Sequence, residues 1–336
     1  MTPALRVPGL LAVLILTAAI APAWADYRDH PRAGELVSEL EREHGLDPAW
    51  VRSRLAEAES RPHIIETMRK PAERVLRWHE YRQIFLDQPR IDAGAAFLRE
   101  HADIVSRVER KYGVPGPVIA AIIGVETRYG GFIGRDRVLD ALATLGFDYP
   151  PRADFFRREL GQFLVLAREE KIDIDTALGS YAGAMGMPQF IPSSYRHYAV
   201  DGDGDGQRDL WDSPADIIAS VANYLAEHGW QRDGRVALPG RTEGGDLSGL
   251  TRSKRKTRYE YRDLTAAGLR VAVDPPADDT PVGLVELAGN HGPEFWVGLN
   301  NFFVITTYNH SRLYAMAVCQ LADAIAAARS RKAASA

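Results

Sequence analysis

Glu126 is the first residue whose surroundings suggest catalysis. It follows the apolar run of residues 118–125, and Thr-Arg-Tyr-Gly-Gly follows it. A carboxyl group at the end of a buried apolar helix is desolvated, which raises its pKa and lets it deliver a proton to a leaving oxygen near neutral pH. The alternative is an exposed glutamate that pairs with Arg128 where the helix ends. The local sequence is compatible with both.

A second cluster, residues 180–195, is rich in small and polar side chains. It reads Ser-Tyr-Ala-Gly-Ala-Met-Gly-Met-Pro-Gln-Phe-Ile-Pro-Ser-Ser-Tyr. Small residues let a ligand approach the backbone, while Ser180, Gln189 and the tyrosines offer hydrogen bonds and stacking faces. Flat aromatic rings beside amide side chains suit N-acetylated sugars. A tight loop between two helices, without a ligand, is the alternative.

A third cluster, residues 201–212, matches the pattern of a calcium-binding loop. Such a loop has carboxylates at positions 1, 3 and 5, glycine at position 6 and a backbone carbonyl ligand at position 7. The residues at the four ligand positions are Asp201, Asp203, Asp205 and Gln207. Position 12 is Asp212 rather than the longer glutamate, which weakens a bidentate closing contact. The pattern predicts a structural Ca²⁺ site that pins the helix beginning near residue 215; an acidic turn without metal is the alternative.

Three motifs in order carry a family resemblance. Glu-Thr-Arg-Tyr-Gly at 126–130, Ser-Tyr-Ala-Gly-Ala-Met-Gly at 180–186 and Gln-Phe-Ile-Pro-Ser-Ser at 189–194 resemble the lytic transglycosylase B family of peptidoglycan-cleaving enzymes. The resemblance implies a lysozyme-like helical core with an added helical domain and a small β domain. It also implies cleavage of the β-1,4 bond from N-acetylmuramic acid to N-acetylglucosamine. In that reaction the muramic acid's own 6-hydroxyl attacks instead of water and leaves a 1,6-anhydro end.

The resemblance further implies roles for individual residues. Glu126 would be the only catalytic carboxylate, acting first as acid and then as base, while the substrate's 2-acetamido group replaces a second carboxylate. Ser180 and Gln189 would bind sugar near the cleavage point. The implied groove residues are Tyr224, Tyr308, Asn309, Tyr314, Tyr81 and Phe155. Similar enzymes close the metal loop with a later aspartate, so we favour Asp216 over Asp212 for that role.

Other functions remain open at this stage. A true hydrolase of the same bond needs a second carboxylate to position water, for which Asp136 and Asp140 are candidates. A non-catalytic peptidoglycan-binding protein would use the same groove. The expected partners are peptidoglycan glycan strands and other cell-wall enzymes, with no organic cofactor and a monomeric chain. The sequence leaves open whether strands are cut at their ends or within.

The elements that must position these residues are mostly helices. Apolar periodicity and proline starts predict short helices within 33–108 and longer ones at 118–126, 153–170, 215–228 and 312–328. Short β-like runs lie at 235–238, 259–264, 269–273 and 282–287, and 302–307 is a further candidate strand. The predicted class is mainly α (α+β). The predicted domains are helical 26–108, catalytic core 109–230, β-rich 231–300, and a completing strand, helix and tail 301–336.

Composition narrows the class of protein. The chain has 336 residues, of which 46% are apolar and 26% charged, so it can bury a sizeable core. Its formal net charge of −4 argues against a protein held on nucleic acid by a positive field. The single cysteine, Cys319, excludes an intrachain disulfide, a cysteine-rich zinc site and an iron–sulfur cluster.

Residues 1–25 have the pattern of a secretory signal peptide. Arg6 precedes an apolar run at 10–21, and Ala-Trp-Ala at 23–25 places small residues at the cleavage-determining positions. The run is shorter than the 20 or so residues that a spanning helix needs. We therefore predict cleavage after Ala25 and a periplasmic protein, with an uncleaved anchor as the alternative. The mature start lacks a cysteine to carry a lipid.

Overall fold

The computed structural model describes residues 27–69, 76–253 and 255–334. The predicted signal peptide at 1–25 lies outside these residues. The helices before the catalytic motif are α1 (Ala33–His44), α2 (Pro48–Glu57), α3 (Pro62–Met68), α4 (Trp78–Phe85), α5 (Gln88–Glu100) and α6 (Ala102–Tyr112). They are followed by α7 (Gly116–Thr127), α8 (Val138–Asp148), α9 (Ala153–Glu169), α10 (Pro192–Tyr198) and α11 (Pro214–Glu227). The last three are α12 (Tyr261–Ala266), α13 (Asn300–Tyr308) and α14 (Arg312–Ala334).

The strands are short and antiparallel. A two-stranded pair joins β1 (Asp136–Arg137) to β2 (Leu178–Gly179). The larger sheet contains β3 (Ala237–Thr242), β4 (Tyr259–Glu260), β5 (Leu269–Val271), β6 (Pro281–Gly289) and β7 (Gly292–Gly298). Its spatial order is β4-β6-β7-β3-β5. With helices over most of the described chain, the predicted α+β class dominated by helices is confirmed.

Helix α7 lies at the centre of the main core. Its residues from Val118 to Gly124 are all buried, and it packs against α14, α5 and α11. A helix that is apolar on every side must be buried on every side. The same apolar cluster runs from Tyr27 to Ile325, so helices from both ends of the chain surround α7. The smaller sheet has its own apolar cluster, which includes Leu264, Leu284 and Val297.

Local capping explains several of the helix starts. Asp47 accepts a hydrogen bond from the backbone of Ala49 at the start of α2, and Asp87 accepts one from Arg90 at the start of α5. Ser213 does the same for Asp216 at the start of α11. In each case a proline follows the cap, where its missing N–H costs no helical hydrogen bond.

The predicted strand at 302–307 is wrong, because these residues belong to α13. Periodicity cannot separate a continuous apolar run in a buried strand from one in a buried helix. The deciding contacts are distant: buried Asn301 accepts from the Gln231 backbone N–H (2.8 Å) and donates to the carbonyls of Gln231 and Gly234 (both 2.8 Å). These bonds fix the start of α13 against the segment that follows α11.

Only the first two residues of the predicted β-like run at 259–264 form a strand. Tyr259 and Glu260 form β4, whereas the residues from Tyr261 onward form α12. The change occurs because Asp263 accepts a hydrogen bond from the Glu260 backbone N–H (3.0 Å), which starts a helical turn.

The predicted domain boundaries, including 108/109 and 230/231, stay predictions.

Asp140 gives a stability prediction. This fully buried carboxylate contacts Arg61 (2.9 Å) and Arg137 (2.6 Å) and accepts from the Glu59 backbone N–H (2.9 Å). Asp140→Ala leaves all three donors without this acceptor, so we expect a loss of about 3–5 kcal/mol in the free energy of unfolding by urea. Asp175→Ala is the matched control: Asp175 reaches the same Arg137 at 3.7 Å but is 56% exposed, so we expect a loss below about 1 kcal/mol. Equal losses would contradict this account.

Among the helices of the described residues, none is both long and apolar enough to cross a membrane.

Candidate active site

Glu126 and Tyr314 meet across the main core. Glu126 lies in the last turn of α7, and its Oε1 accepts a hydrogen bond from Tyr314 Oη (2.6 Å) in the first turn of α14. Burial, followed by the nearby Glu126 charge, raises the pKa of Tyr314 well above its ordinary value. The Tyr314 hydroxyl therefore keeps its proton and remains a donor to Glu126. Arg128, the alternative partner that the sequence suggested, lies 3.7 Å from Asp87.

The residues after Glu126 hold the end of α7 in place. Arg128 and Tyr129 take left-handed backbone angles, with φ of 52° and 59°. The Tyr129 ring fits against two glycines: a Cβ on Gly94 or Gly124 would lie 2.4 Å from Tyr129 Oη. Only glycine leaves room for the ring there, so the position of Tyr129 explains both glycines.

Thr127 ties this helix end to the loop at 180–190. Its Oγ1 donates to the Met187 carbonyl (2.9 Å) and accepts from the Gly130 backbone N–H (3.1 Å). Sequence analysis did not single out Thr127 for this role. Its position directly after Glu126 was visible, but its partner sixty residues away was not.

The loop at 180–190 is a compact, internally bonded structure. Met185 and Phe190 exchange two backbone hydrogen bonds (2.9 and 3.1 Å). Ser180 Oγ accepts from the backbones of Ala182 (3.3 Å) and Ala184 (3.1 Å). Both ends of the loop are thereby fixed, and Ser180 has a structural task in addition to the predicted sugar contact.

Gln189 stands at the turn of this loop with a positive φ of 51°. Its Nε2 donates to the carbonyls of Ile133 and Gly186, both at 3.0 Å. These two bonds support an unfavourable backbone conformation for a residue with a side chain. They hold the amide at the edge of the cavity described next.

An aromatic wall follows the loop. The Tyr308 ring lies 4.8 Å from Tyr224, 5.7 Å from Phe190 and 6.4 Å from Tyr314, all between ring centroids. Tyr308 Oη donates to the Pro188 carbonyl (2.6 Å) and Tyr224 Oη to the Thr307 carbonyl (2.8 Å). The wall therefore joins α11, α13 and α14 to the loop at 180–190, beside Glu126.

This wall borders a cavity of about 320 Å³. Its lining includes four predicted sugar-binding residues, Gln189, Tyr224, Tyr308 and Phe155. A second cavity of about 910 Å³ shares Ile191, Ser194, Tyr224, Thr307 and His310 with the first, so the two form a continuous groove. The groove is polar and aromatic, as a carbohydrate site requires.

Four residues of the lining were not predicted from the sequence: Arg152, Phe156, Thr307 and His310. The Arg152 guanidinium lies 4.3 Å from the Phe155 ring centroid and 5.0 Å from that of Phe156. Its spacing of three residues from Phe155 at the start of α9 was the available signal. Thr307 ends the run that was interpreted as a strand and His310 follows it, which concealed their place on the groove.

Four predicted residues lie outside the cavity lining: Ser180 and Tyr314, described above, and Tyr81 and Asn309. Tyr81 in α4 is only 2% exposed and packs against Phe85, with ring centroids 5.0 Å apart. It lies near enough to Tyr314 to affect the pKa of that residue. Asn309 is half-buried in the turn between α13 and α14. Tyr81 therefore lies near the Glu126–Tyr314 pair, whereas Asn309 lies in the turn that precedes α14.

The acidic loop brings three carboxylates together. Asp201, Asp203 and Asp205 each place one oxygen within 4.8 Å of the others. Asp201 also accepts from the backbones of Gly204 (2.6 Å) and Gly206 (2.9 Å), and these donors lower its pKa. Three converging anionic oxygens on a turned loop fit a hard divalent cation such as Ca²⁺.

The candidates for closing this loop differ in their surroundings. Asp216 is 1% exposed, and its two oxygens accept from the backbones of Gly202 and Asp209, both at 2.7 Å. Asp212 is exposed and contributes a backbone N–H to Asp209 (3.1 Å). Gln207 likewise is exposed and donates its backbone N–H to Asp205 (2.8 Å). Asp216 thus clamps both ends of the loop to the start of α11.

Gly186 connects the acidic loop to the sugar-binding loop and gives a second prediction. It has a φ of +69°, and a Cβ would lie 2.5 Å from the Leu210 carbonyl oxygen. We expect Gly186→Ala to lower the free energy of unfolding by about 3 kcal/mol or more and to reduce activity. Gly45→Ala is the control: its φ is +60° but the new Cβ would meet open space, so about 1 kcal/mol is expected. Similar losses in a urea titration would exclude the clash as the cause.

Glu126, in the last turn of the buried helix α7, therefore lies beside a groove that is large enough for sugars. The acidic loop contacts the loop at 180–190 that borders this groove. The profile of the Transglycosylase SLT domain matches residues 29–323, which is most of the chain. The chain belongs to this family. The resemblance to lytic transglycosylases predicted from the three motifs is therefore confirmed.

Individual relatives of the SLT family agree over nearly the same span. The chain is 41% identical over 313 residues to membrane-bound lytic murein transglycosylase B of Escherichia coli, covering 90% of this chain and 85% of that protein. The structure of a soluble lytic transglycosylase from Pseudomonas aeruginosa is 46% identical, with a TM-score of 0.84 over 89% of this chain and all of that one. These similarities confirm the predicted lysozyme-like fold with its helical and β-rich additions.

Two further SLT structures were solved with ligands. An E. coli lytic transglycosylase in complex with calcium is 40% identical, with a TM-score of 0.82, and the match covers 90% of this chain and 94% of that one. A P. aeruginosa relative in complex with NAG-anhNAM-pentapeptide is 31% identical, with a TM-score of 0.73, over 87% of this chain and 78% of that one.

Proposed function

We propose that this chain is a peptidoglycan lytic transglycosylase in which Glu126 is the single acid and base. The hydrogen bond between Glu126 and Tyr314 carries the proposal, because it fixes a carboxyl group beside a groove of carbohydrate character. Family membership and the relatives described above support the reaction class. The bond cleaved is the β-1,4 link from N-acetylmuramic acid to N-acetylglucosamine.

The chemistry needs one residue to move a proton twice. Protonated Glu126 gives its proton to the glycosidic oxygen as the bond from that oxygen to C1 of muramic acid breaks. The resulting carboxylate then takes the proton of the 6-hydroxyl as O6 bonds to C1. The sugar leaves as a 1,6-anhydro end, no water is consumed, and Glu126 is protonated again. Tyr314 holds the carboxyl in position throughout, and the substrate's 2-acetamido group stabilises the charge on C1.

The surroundings of the other candidate carboxylates support a lyase over a hydrolase. Asp140 is fully buried between Arg61 and Arg137. Asp136 Oδ1 lies 2.9 Å from His63 Nε2, within hydrogen-bond distance. Both are thus committed to other contacts within the described part of the chain, whereas a hydrolase requires a carboxylate that activates water.

We assign the sugar contacts to the groove. Gln189, Tyr224, Tyr308 and Phe155 line it directly, and Ser180 supports the loop from which Gln189 projects. Tyr314, Asn309 and Tyr81 lie towards Glu126. Aromatic faces pack on sugar rings, and the amide of Gln189 matches an acetamido group.

We also assign a structural Ca²⁺ to the acidic loop. Asp201, Asp203 and Asp205 would hold it, with the Gln207 carbonyl at the next ligand position and Asp216 rather than Asp212 closing the site. When bound, the cation neutralises this cluster. The loop is joined to the active site through the Met187 N–H, which donates to the Leu210 carbonyl (2.8 Å). The calcium complex of the E. coli relative supports this assignment.

The sequence pattern at residues 1–25 supports export to the periplasm, with cleavage after Ala25. There the partners would be glycan strands and other cell-wall enzymes, without nucleic acid, and the protein would act as a monomer. N-terminal sequencing of the protein from a periplasmic fraction tests this proposal. A chain that retains residues 1–25 would contradict it.

Mass spectrometry of the products distinguishes the reaction classes. Purified peptidoglycan is incubated with the mature protein, and the soluble fragments are weighed. Anhydro-muropeptides are expected. Fragments heavier by one water would show a hydrolase, and the absence of fragments with retained binding to peptidoglycan would show a non-catalytic wall-binding protein.

A further inference from the structure

A cavity of about 880 Å³ lies beside the active site and takes no part in the function described above. It is formed by the start of α4, the β6–β7 hairpin, Arg252 and the first residues of α14. Residues before the α13–α14 turn, such as Tyr308, line the sugar groove, whereas Arg312 and Leu313 after the turn line this cavity. The two spaces therefore adjoin the same turn.

Arg312 brings a partly buried guanidinium with one unpaired nitrogen to this cavity. Its Nη1 is out of contact with solvent and donates to no acceptor in the described part of the chain. Burial lowers its pKa, because desolvation disfavours the charged form. A guanidinium nevertheless stays charged in proteins, and a buried N–H group without an acceptor is costly. Such a group is a candidate for binding an anion.

Glu286 attracts the Arg312 guanidinium electrostatically but accepts no hydrogen bond from its Nη1. The carboxylate of Glu286 accepts a hydrogen bond from Arg252 Nε. Arg252 is further held by the carbonyls of Leu247 (2.7 Å) and Leu250 (2.6 Å). Arg77 adds a third guanidinium to the lining. With three arginines and one carboxylate on its walls, the cavity favours an anionic ligand.

The position of Arg312 relates this charge to the substrate. Arg312 is two residues before Tyr314, the donor to Glu126. The N-acetylated glycan itself is uncharged, so it offers no partner for a guanidinium. The peptides attached to muramic acid carry several carboxylates, and they branch from the glycan at the residue whose bond is cleaved.

We propose that the cavity around Arg312 binds the carboxylates of a stem peptide on the strand held by Glu126. This inference rests on the proposed function and adds recognition of the peptide to it. A charge-assisted, bidentate contact between guanidinium and carboxylate supplies both affinity and orientation. The volume of the cavity is within the usual range for ligand sites, about 300–1,000 Å³.

The test compares Arg312→Gln with the unaltered protein on three substrates. These are glycan strands with intact stems, strands whose stem carboxyls are converted to amides, and strands freed of peptide by an amidase. We expect Arg312→Gln to lower kcat/KM about 10-fold to 100-fold on intact stems only, with Arg312→Lys falling between. Arg262→Gln, an exposed arginine of the β-rich unit outside the cavity, should change none of the rates.

Each other outcome overturns the assignment. An equal loss on all three substrates would show that Arg312 only positions Tyr314. A loss on peptide-free strands, but not on amidated ones, would assign Arg312 to the lactyl carboxylate that the amidase exposes. Unchanged rates would exclude a role in recognition.

Direct binding keeps this test separate from the proposed function. Calorimetry with free tetrapeptide stem should show binding to Glu126→Gln and at least 10-fold weaker binding to the same protein with Arg312→Gln added. This result would stand even if the unaltered protein gave no anhydro product. Equal affinity of the two proteins would exclude the site, provided that their melting temperatures agree.

Discussion

Glu126→Gln is expected to abolish the release of anhydro-muropeptides from peptidoglycan. The amide keeps the size of the side chain and can still contact Tyr314 Oη, but it cannot give or take the proton that the reaction moves twice. General acid–base catalysis contributes about 10²-fold to 10⁴-fold. Because one group performs both transfers, we expect a loss at or above the upper end of that range. Product release is measured by mass spectrometry under initial-rate conditions.

Glu66→Gln is the matched control for this substitution. Glu66 is an exposed residue of α3, so the same chemical change there should leave the rate unaltered. Both variants should melt at the temperature of the unaltered protein, since neither substitution changes side-chain volume. Retention of more than about one tenth of the activity by Glu126→Gln would mean that another group supplies the proton.

Removal of calcium is expected to lower the melting temperature without unfolding the protein at room temperature. A ligand present at about 100 times its Kd stabilises the folded state by about 2.7 kcal/mol. For a chain of this size that corresponds to roughly 5 °C. The physical reason is the repulsion among Asp201, Asp203 and Asp205, which the cation relieves. Differential scanning calorimetry in EDTA and in calcium measures the difference in melting temperature.

Three aspartate variants separate the roles of the loop residues. Asp203→Asn should remove most of the response to calcium and leave melting in EDTA nearly unchanged. Asp216→Asn should lower melting in both conditions, because an amide has one acceptor oxygen for two backbone donors, Gly202 and Asp209. The backbone N–H left without an acceptor lowers the free energy of unfolding by about 1–3 kcal/mol. Asp212→Asn should change neither; a lost calcium response there would assign the closing ligand to Asp212.

The parts of the fold that sequence predicted best are those with strong local signals. Helix α7 is predicted to within two residues because its apolar run is bounded by prolines before it and by the glycines after Tyr129. The start of α11 follows from Ser213 and the proline after it. The clustering of carboxylates in the acidic loop follows from spacing alone, since one short segment contains Asp201, Asp203 and Asp205. In each case the residues that decide the structure are neighbours in the chain.

The parts that could not be predicted depend on distant partners. Nothing near residue 302 indicates a helix, because Asn301 is fixed by contacts to Gln231 and Gly234. The role of Thr127 depends on the Met187 carbonyl, and the unpaired Nη1 of Arg312 depends on the hydrogen bond between Glu286 and Arg252. Such features require the packed structure, since periodicity and propensity describe only local preferences.

In the proposed mechanism, the pairing of Glu126 with Tyr314 also determines when activity can arise during synthesis. The two residues are 188 positions apart, and α14, which brings Tyr314, also forms much of the packing around α7. A growing chain emerges from its N-terminus, so the acidic residue appears long before its partner. An incomplete chain that ends before residue 312 has neither the donor to Glu126 nor the cover over α7. On the proposed role of Tyr314, the capacity to cut the wall therefore appears only after α14 has been synthesised.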